Sequence, residues 1–135
     1  MMTDTERERK GHFDQLTVVV SVDRGTGAAT VLTVEGEVDM QTTPVLRRRI
    51  GEAFNGDPTH LIVDLSGVEF IGSHGLAALL DAQERAGVEG RGLAVVAGTR
   101  AARRPIEISG LAQVLNLCDD LDQAQAAVPS ARRPG

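Results

Sequence analysis

The sequence predicts a small α/β domain: a mixed sheet of about five strands with helices packed on it, in the order ββαβαβαβα. Three observations predict it. After two β-branched runs, short apolar stretches alternate with longer amphipathic ones, the pattern of an at least partly parallel sheet with right-handed crossovers. The 135 residues fit one domain, and a hydrophobic fraction of 41% is enough for a core. That core must be aliphatic, because the chain has 3 Phe, no Trp and no Tyr.

Residues 1–12 are charged, mixed in sign and without periodicity, and read as a flexible tail. Residues 13–128 read as the folded domain and 129–135 as a second tail. "LTVVVSV" (16–22) is β-branched and predicts the first strand. Gly25 and Gly27 in "DRGTGA" suggest a hairpin turn, returning through "ATVLTVEGEV" (29–38). Thr43 before Pro44 predicts a helix start, with the hydroxyl as N-cap and proline at the first helical position. Leu46, Ile50, Ala53 and Phe54 share one face of that helix, while Arg47, Arg48 and Arg49 read as its solvated side.

"THLIVDL" (59–65) is a continuous apolar run, as expected of a central strand. After "SGVEFI" and the small-residue knot "GSHG" comes a helix with Leu76, Leu79, Leu80 and Ala86 as its apolar stripe and Gly87 as C-terminal cap. "RGLAVVAG" (91–98) predicts a strand. "TRAARRPIEISG" predicts a helix from Thr99 to Gly110, with Pro105 expected to kink or shorten it. "LAQVLNL" predicts a short strand, and "DDLDQAQAAV" a last helix with acids in its first turn.

Composition excludes several function classes. A net charge of -5 without stacking aromatics argues against nucleic-acid binding. No apolar run reaches the ~18 residues of a membrane span. The N-terminus lacks the apolar centre of a signal peptide, so a soluble cytoplasmic protein is expected. Cys118 lies in an apolar stretch and reads as a small buried hydrophobe. Three scattered histidines and one cysteine show no metal-ligand spacing, and no cofactor motif is present.

Ser73, at the strand-to-helix junction, admits several roles. As a helix N-cap it contributes ~1 kcal/mol and needs no function. As a hydrolase nucleophile it lacks the first glycine of the elbow, where Ile71 stands, and His74, its sequence neighbour, does not face it on a helix. As a phosphate acceptor it sits where free N–H groups favour negative charge and where flanking glycines let another protein approach. Asp39, ending a strand, has a plain reading as a turn or cap residue.

The stretches "VEGEVDMQT", "LIVDLSGVEFIGSHGLAALL" and "ISGLAQVLNL" resemble the STAS domain of anti-sigma factor antagonists. That family's central signature runs DLS-x-V-x-F-[IM]-D-S-x-G-L, met here by Asp64, Leu65, Ser66, Val68, Phe70, Ile71, Ser73, Gly75 and Leu76. Its GE-[LV]-D signature is met by Gly36, Glu37, Val38 and Asp39, and its SGL by Ser109, Gly110 and Leu111. The resemblance implies a non-enzymatic regulator. Its partner would be an anti-sigma factor that is a serine kinase of the histidine-kinase-like ATPase fold. Ser73 would be the phosphoacceptor, and a phosphatase would reset it. Asp39, Met40, Gln41, Thr42, Gly72, His74 and Gly75 would form the partner-binding set, on a monomer or weak homodimer. The chain departs from the pattern at Gly72, where the family usually has aspartate. That departure keeps an alternative open: a non-phosphorylated STAS scaffold or accessory subunit of a stress-signalling or lipid-transport complex.

Overall fold

A computed structural model of the chain describes residues 5–10, 14–23, 28–56 and 60–131. Among the described residues six strands and four helices follow one another as β1 (Thr5–Lys10), β2 (Asp14–Asp23), β3 (Ala29–Val38), α1 (Thr43–Phe54), β4 (His60–Ile71), α2 (Ser73–Glu89), β5 (Leu93–Val96), α3 (Arg100–Ile108), β6 (Leu117–Cys118) and α4 (Leu121–Ala131). The strands lie side by side in chain order, β1 to β6. β1–β2 and β2–β3 are antiparallel, and the three pairs that follow are parallel. This is the mixed α/β sheet that the alternation predicts, with one strand added at its edge.

Helices cover both faces. α1, α2 and α3 bury Leu46, Ile50, Leu79, Ala82, Ala102 and Ile106 against Leu32, Val34, Val63, Leu65 and Val95. α4 buries Ala124 and Val128 against Val31, Ile62, Ala94, Val96 and Cys118 on the other face. Residues 61–63 of β4 and all of β5 thus have core on both sides, which explains their continuous apolar runs. The last turn of α4 comes so close to β5 that a Cβ on Gly92 would stand 1.9 Å from the Val128 carbonyl oxygen. Cys118 is 7% exposed; burial pushes its thiol pKa up, and the carboxylates of Asp119 and Asp120 push the same way.

Several local expectations are corrected. Thr5–Lys10 is strand, not tail, paired with β2 from Thr5↔Val19 to Lys10↔Asp14. Its all-polar sequence gives no hydrophobic alternation to read, and the backbone ladder alone makes it a strand. α4 continues through Pro129 to Ala131, into the stretch expected as the second tail. The hairpin turn at Gly25 and Gly27 lies outside the described residues. α2 passes through Gly87 and ends at Gly90, which takes the left-handed conformation at φ 71°. Pro105 sits inside α3 without ending it. "LAQVLNL" is mostly turn, and only Leu117–Cys118 pair with β5. Of the arginine trio, Arg47 and Arg48 are exposed, but the Arg49 side chain is 13% exposed.

Candidate functional site

Parallel pairing of β3 with β4 brings their carboxyl ends together, Val38 opposite Ile71. The Gly72 N–H donates to the Val38 carbonyl at 2.9 Å. The loop after β3 and the start of α2 are therefore neighbours. Of the sequence-predicted set, residues 39–42 lie on the first and residues 72–75 on the second.

The loop is organised by Asp39. One carboxylate oxygen accepts the backbone N–H of Gln41 (2.9 Å) and of Thr42 (3.0 Å). Thr42 is 1% exposed, and its hydroxyl donates to the Glu37 carbonyl at 2.7 Å while accepting the Asp39 N–H at 3.0 Å. Thr42, not Thr43, occupies the N-cap position of α1, and its side chain makes no cap bond. Pro44 supplies the fixed φ of the first turn and Thr43 turns its hydroxyl back to the Asp39 carbonyl. Asp39 thus has the turn role its sequence position suggested, and Met40 and Gln41 project from the loop it holds, Met40 at 65% exposure.

On the α2 side Gly72 is the N-cap, with extended backbone (φ -97°, ψ -174°) and no side-chain cap bond. Ser73 is therefore the first helical residue and does not cap. It is exposed, and its hydroxyl forms no hydrogen bond among the described residues. The leading N–H groups of a helix have no intrahelical acceptor, and here no side chain takes their place. His74 is exposed beside it. Gly75 is buried: a Cβ there would lie 2.6 Å from Val38 Cγ1 and 2.8 Å from Ile71 Cγ1. Thr42 and Gly75 accordingly shape the site from beneath, while Met40, Gln41, Ser73 and His74 form its surface.

Phe70, which single-sequence reading did not assign to the site, belongs to that surface. Along β4 the register slips: Gly36 faces Val68, but the next residue, Glu37, faces Phe70. Glu69 is the extra residue of a β-bulge. Gly36 accommodates the irregularity at φ 113°, a conformation glycine tolerates and other residues rarely adopt. Val68 and Ile71 remain buried and Phe70 is turned out, 50% exposed. Its ring edge lies 3.3 Å from where a Gly72 Cβ would be. Strict alternation would place Phe70 with Val68, so only the cross-strand register reveals it.

Among the described residues no cluster of three or more His, Cys, Asp or Glu side chains could hold a metal ion. No described helix is long and apolar enough to cross a membrane. The surface described above presents a hydroxyl, a helix N-terminus and exposed apolar side chains.

Comparison with known families decides the ancestry of this arrangement. Residues 21–128 match the family described as Mlab, STAS domain. The chain belongs to the STAS domain family. Among its relatives, the anti-sigma-F factor antagonist RsfB of Mycobacterium tuberculosis is 38% identical over 119 residues, spanning 88% of this chain and 94% of RsfB. The crystal structure of an anti-sigma factor antagonist from Mycobacterium paratuberculosis superposes with a TM-score of 0.71 at 42% identity, covering 83% of this chain and 94% of that one. The Bacillus protein SpoIIAA, an anti-sigma factor antagonist solved in its unphosphorylated form, shares the fold at 20% identity and a TM-score of 0.62, over 78% of this chain and 90% of its own.

The STAS signatures of this chain are largely turn chemistry. Asp39 closes the loop after β3. Asp64 accepts the Ser66 N–H at 3.0 Å and the Ser66 hydroxyl at 2.6 Å, shaping β4 where its register with β3 first shifts. The Ser109 hydroxyl donates to the Ile106 carbonyl, and Gly110 takes φ 79° after α3. Asn116, at φ 51°, donates from its side chain to the Leu93 carbonyl. Each of these polar side chains is spent on the fold. The Ser73 hydroxyl is not.

Proposed function

We propose that the chain is a cytoplasmic anti-sigma factor antagonist, a binding protein with no catalytic role of its own. It docks a serine-kinase anti-sigma factor, of the histidine-kinase-like ATPase fold, on the surface of Asp39, Met40, Gln41, Gly72, Ser73 and His74, and releases it when Ser73 is phosphorylated. The observation that carries this reading is the exposed, unengaged Ser73 hydroxyl at the first position of a 17-residue helix. In the transfer, the Oγ–P bond forms as the bond from the γ-phosphorus to the ADP oxygen breaks, and the hydroxyl proton passes to a kinase base or to solvent. A phosphatase hydrolyses the ester and restores the hydroxyl.

The energetics suit a reusable switch. Phosphoserine carries about -1.5 to -2 charges. Facing a partner carboxylate at ~4 Å, a unit charge meets ~1 kcal/mol of repulsion in water and ~4 kcal/mol at an effective dielectric of ~20. At ~1.4 kcal/mol per decade, a half-buried contact loses one to three orders of magnitude in affinity. The helix N-terminus meanwhile favours the phosphate by about 0.3–1 kcal/mol, so release does not require unfolding.

Intact-mass measurement with ATP and the cognate kinase tests this. The wild-type chain gains one phosphate, and Ser73→Ala gains none while still binding the kinase. Phosphate that persists in Ser73→Ala would overturn the assignment. Gly72 favours a second reading, a STAS scaffold that binds without being phosphorylated, because it leaves no carboxylate beside the hydroxyl. That reading predicts stable co-purification with a non-kinase subunit of a stress-signalling or lipid-transport complex, and no phosphate on Ser73.

A further inference from the structure

The geometry points to Phe70 as the specificity-determining residue by which the phosphorylating enzyme recognises this acceptor, an inference that rests on the reading of Ser73 given above. The chain has 3 Phe. Phe54 is buried at 3% exposure with the Arg85 guanidinium 4.6 Å from its ring centroid. Phe70 is half exposed, although burying such a ring is worth about 1.5–3 kcal/mol.

Its exposure is built in. The bulge at Glu69 takes Phe70 out of the face that Val68 and Ile71 share and leaves the ring pointing outward. Gly72 then makes room for it. With the ring edge 3.3 Å from the site of a Gly72 Cβ, any side chain at 72 would press on Phe70. The ring consequently lies over the backbone next to Ser73.

The occupant of this surface follows from the acceptor. An enzyme that phosphorylates Ser73 must bring its donor phosphorus to within about 3–3.5 Å of the hydroxyl. It must therefore cover the residues beside it, and an exposed aromatic ring there is the type of side chain that dominates interface energetics when desolvated. Glu37, opposite Phe70 in the ladder, and Glu69, next to it in sequence, are both exposed. The matching kinase surface is an apolar socket edged by basic side chains.

The test is steady-state phosphorylation of the full chain by its cognate kinase with ATP, varying the antagonist. Phe70→Ala is expected to raise KM about tenfold or more with kcat nearly unchanged, the size expected of an interface hot spot. Phe70→Leu recovers part of the loss. Phe70→Met, another flexible apolar side chain, does the same. Far-UV circular dichroism checks each fold, and if Phe70→Ala unfolds, the other two variants decide. Wild-type KM in the folded Phe70 variants overturns this inference alone. A wild-type chain that takes no phosphate on Ser73 overturns the reading of Ser73 and this inference with it.

Discussion

Three helical glycines receive the same substitution in different surroundings, and their stabilities should separate. At Gly75 an added methyl would stand 2.6 Å from Val38 Cγ1 and 2.8 Å from Ile71 Cγ1. Ordinary carbon contacts lie near 3.5–4.0 Å, so the overlap is about 1 Å. Neither neighbour can swing into solvent, since Val38 is 0% and Ile71 3% exposed. Forcing a methylene-sized group into such a core costs typically ~1–3 kcal/mol. At Gly51 and Gly87 a Cβ would meet nothing within 4 Å. There alanine gains only helix propensity, ~0.5–1 kcal/mol. Propensity largely cancels between sites, so the gap between Gly75→Ala and Gly87→Ala isolates the overpacking, about 1–3 kcal/mol in favour of Gly87→Ala. The assay is urea unfolding followed by far-UV circular dichroism, since the chain has no Trp or Tyr to report by fluorescence. If Gly75→Ala is stabilised as much as Gly87→Ala, α2 does not seat on Val38 and Ile71 as described, and the placement of Ser73 falls with it.

Two further outcomes follow from the same structure. Thr42→Val keeps the shape of the side chain but deletes the hydroxyl that serves Glu37 and Asp39; with the site 1% exposed, urea unfolding should show a loss of about 1–3 kcal/mol. Cys118 should react with a disulfide reagent far more slowly in the native than in the denatured chain. Because burial raises its pKa, the unfolded chain releases this proton first, so the thiol's contribution to stability is intact at neutral pH and is lost as pH rises above about 8.5. Cys118→Ala should flatten that alkaline decline in a pH series of unfolding curves.

The sequence made the interior easy to read and the edges hard. Apolar runs such as 61–63 and 93–96 are read as buried and are, and amphipathic spacing marks α1 and α2. β1 was hidden because no residue of "TERERK" announces a buried face. Helix ends moved by a residue or more where backbone, not side-chain composition, decides: Thr42 precedes α1 with its hydroxyl bonded elsewhere, and Gly72 rather than Ser73 precedes α2. At the site, the family signature led to Ser73 and to the loop of Asp39. It did not separate Thr42 and Gly75, which work from below, from Met40 and His74, which face outward. Phe70 escaped because its direction depends on a slip between two strands, a relation that no period along one strand contains.

Spatial order and chain order coincide across the sheet, β1 through β6. A nascent chain leaving the ribosome therefore never has to hold a strand in reserve for a neighbour yet to be translated. Each new strand finds its docking edge already made, and each parallel addition is closed by the helix just synthesised. Assembly can proceed like a zip drawn in one direction, with the paired ends of β3 and β4 joined before the final helix emerges.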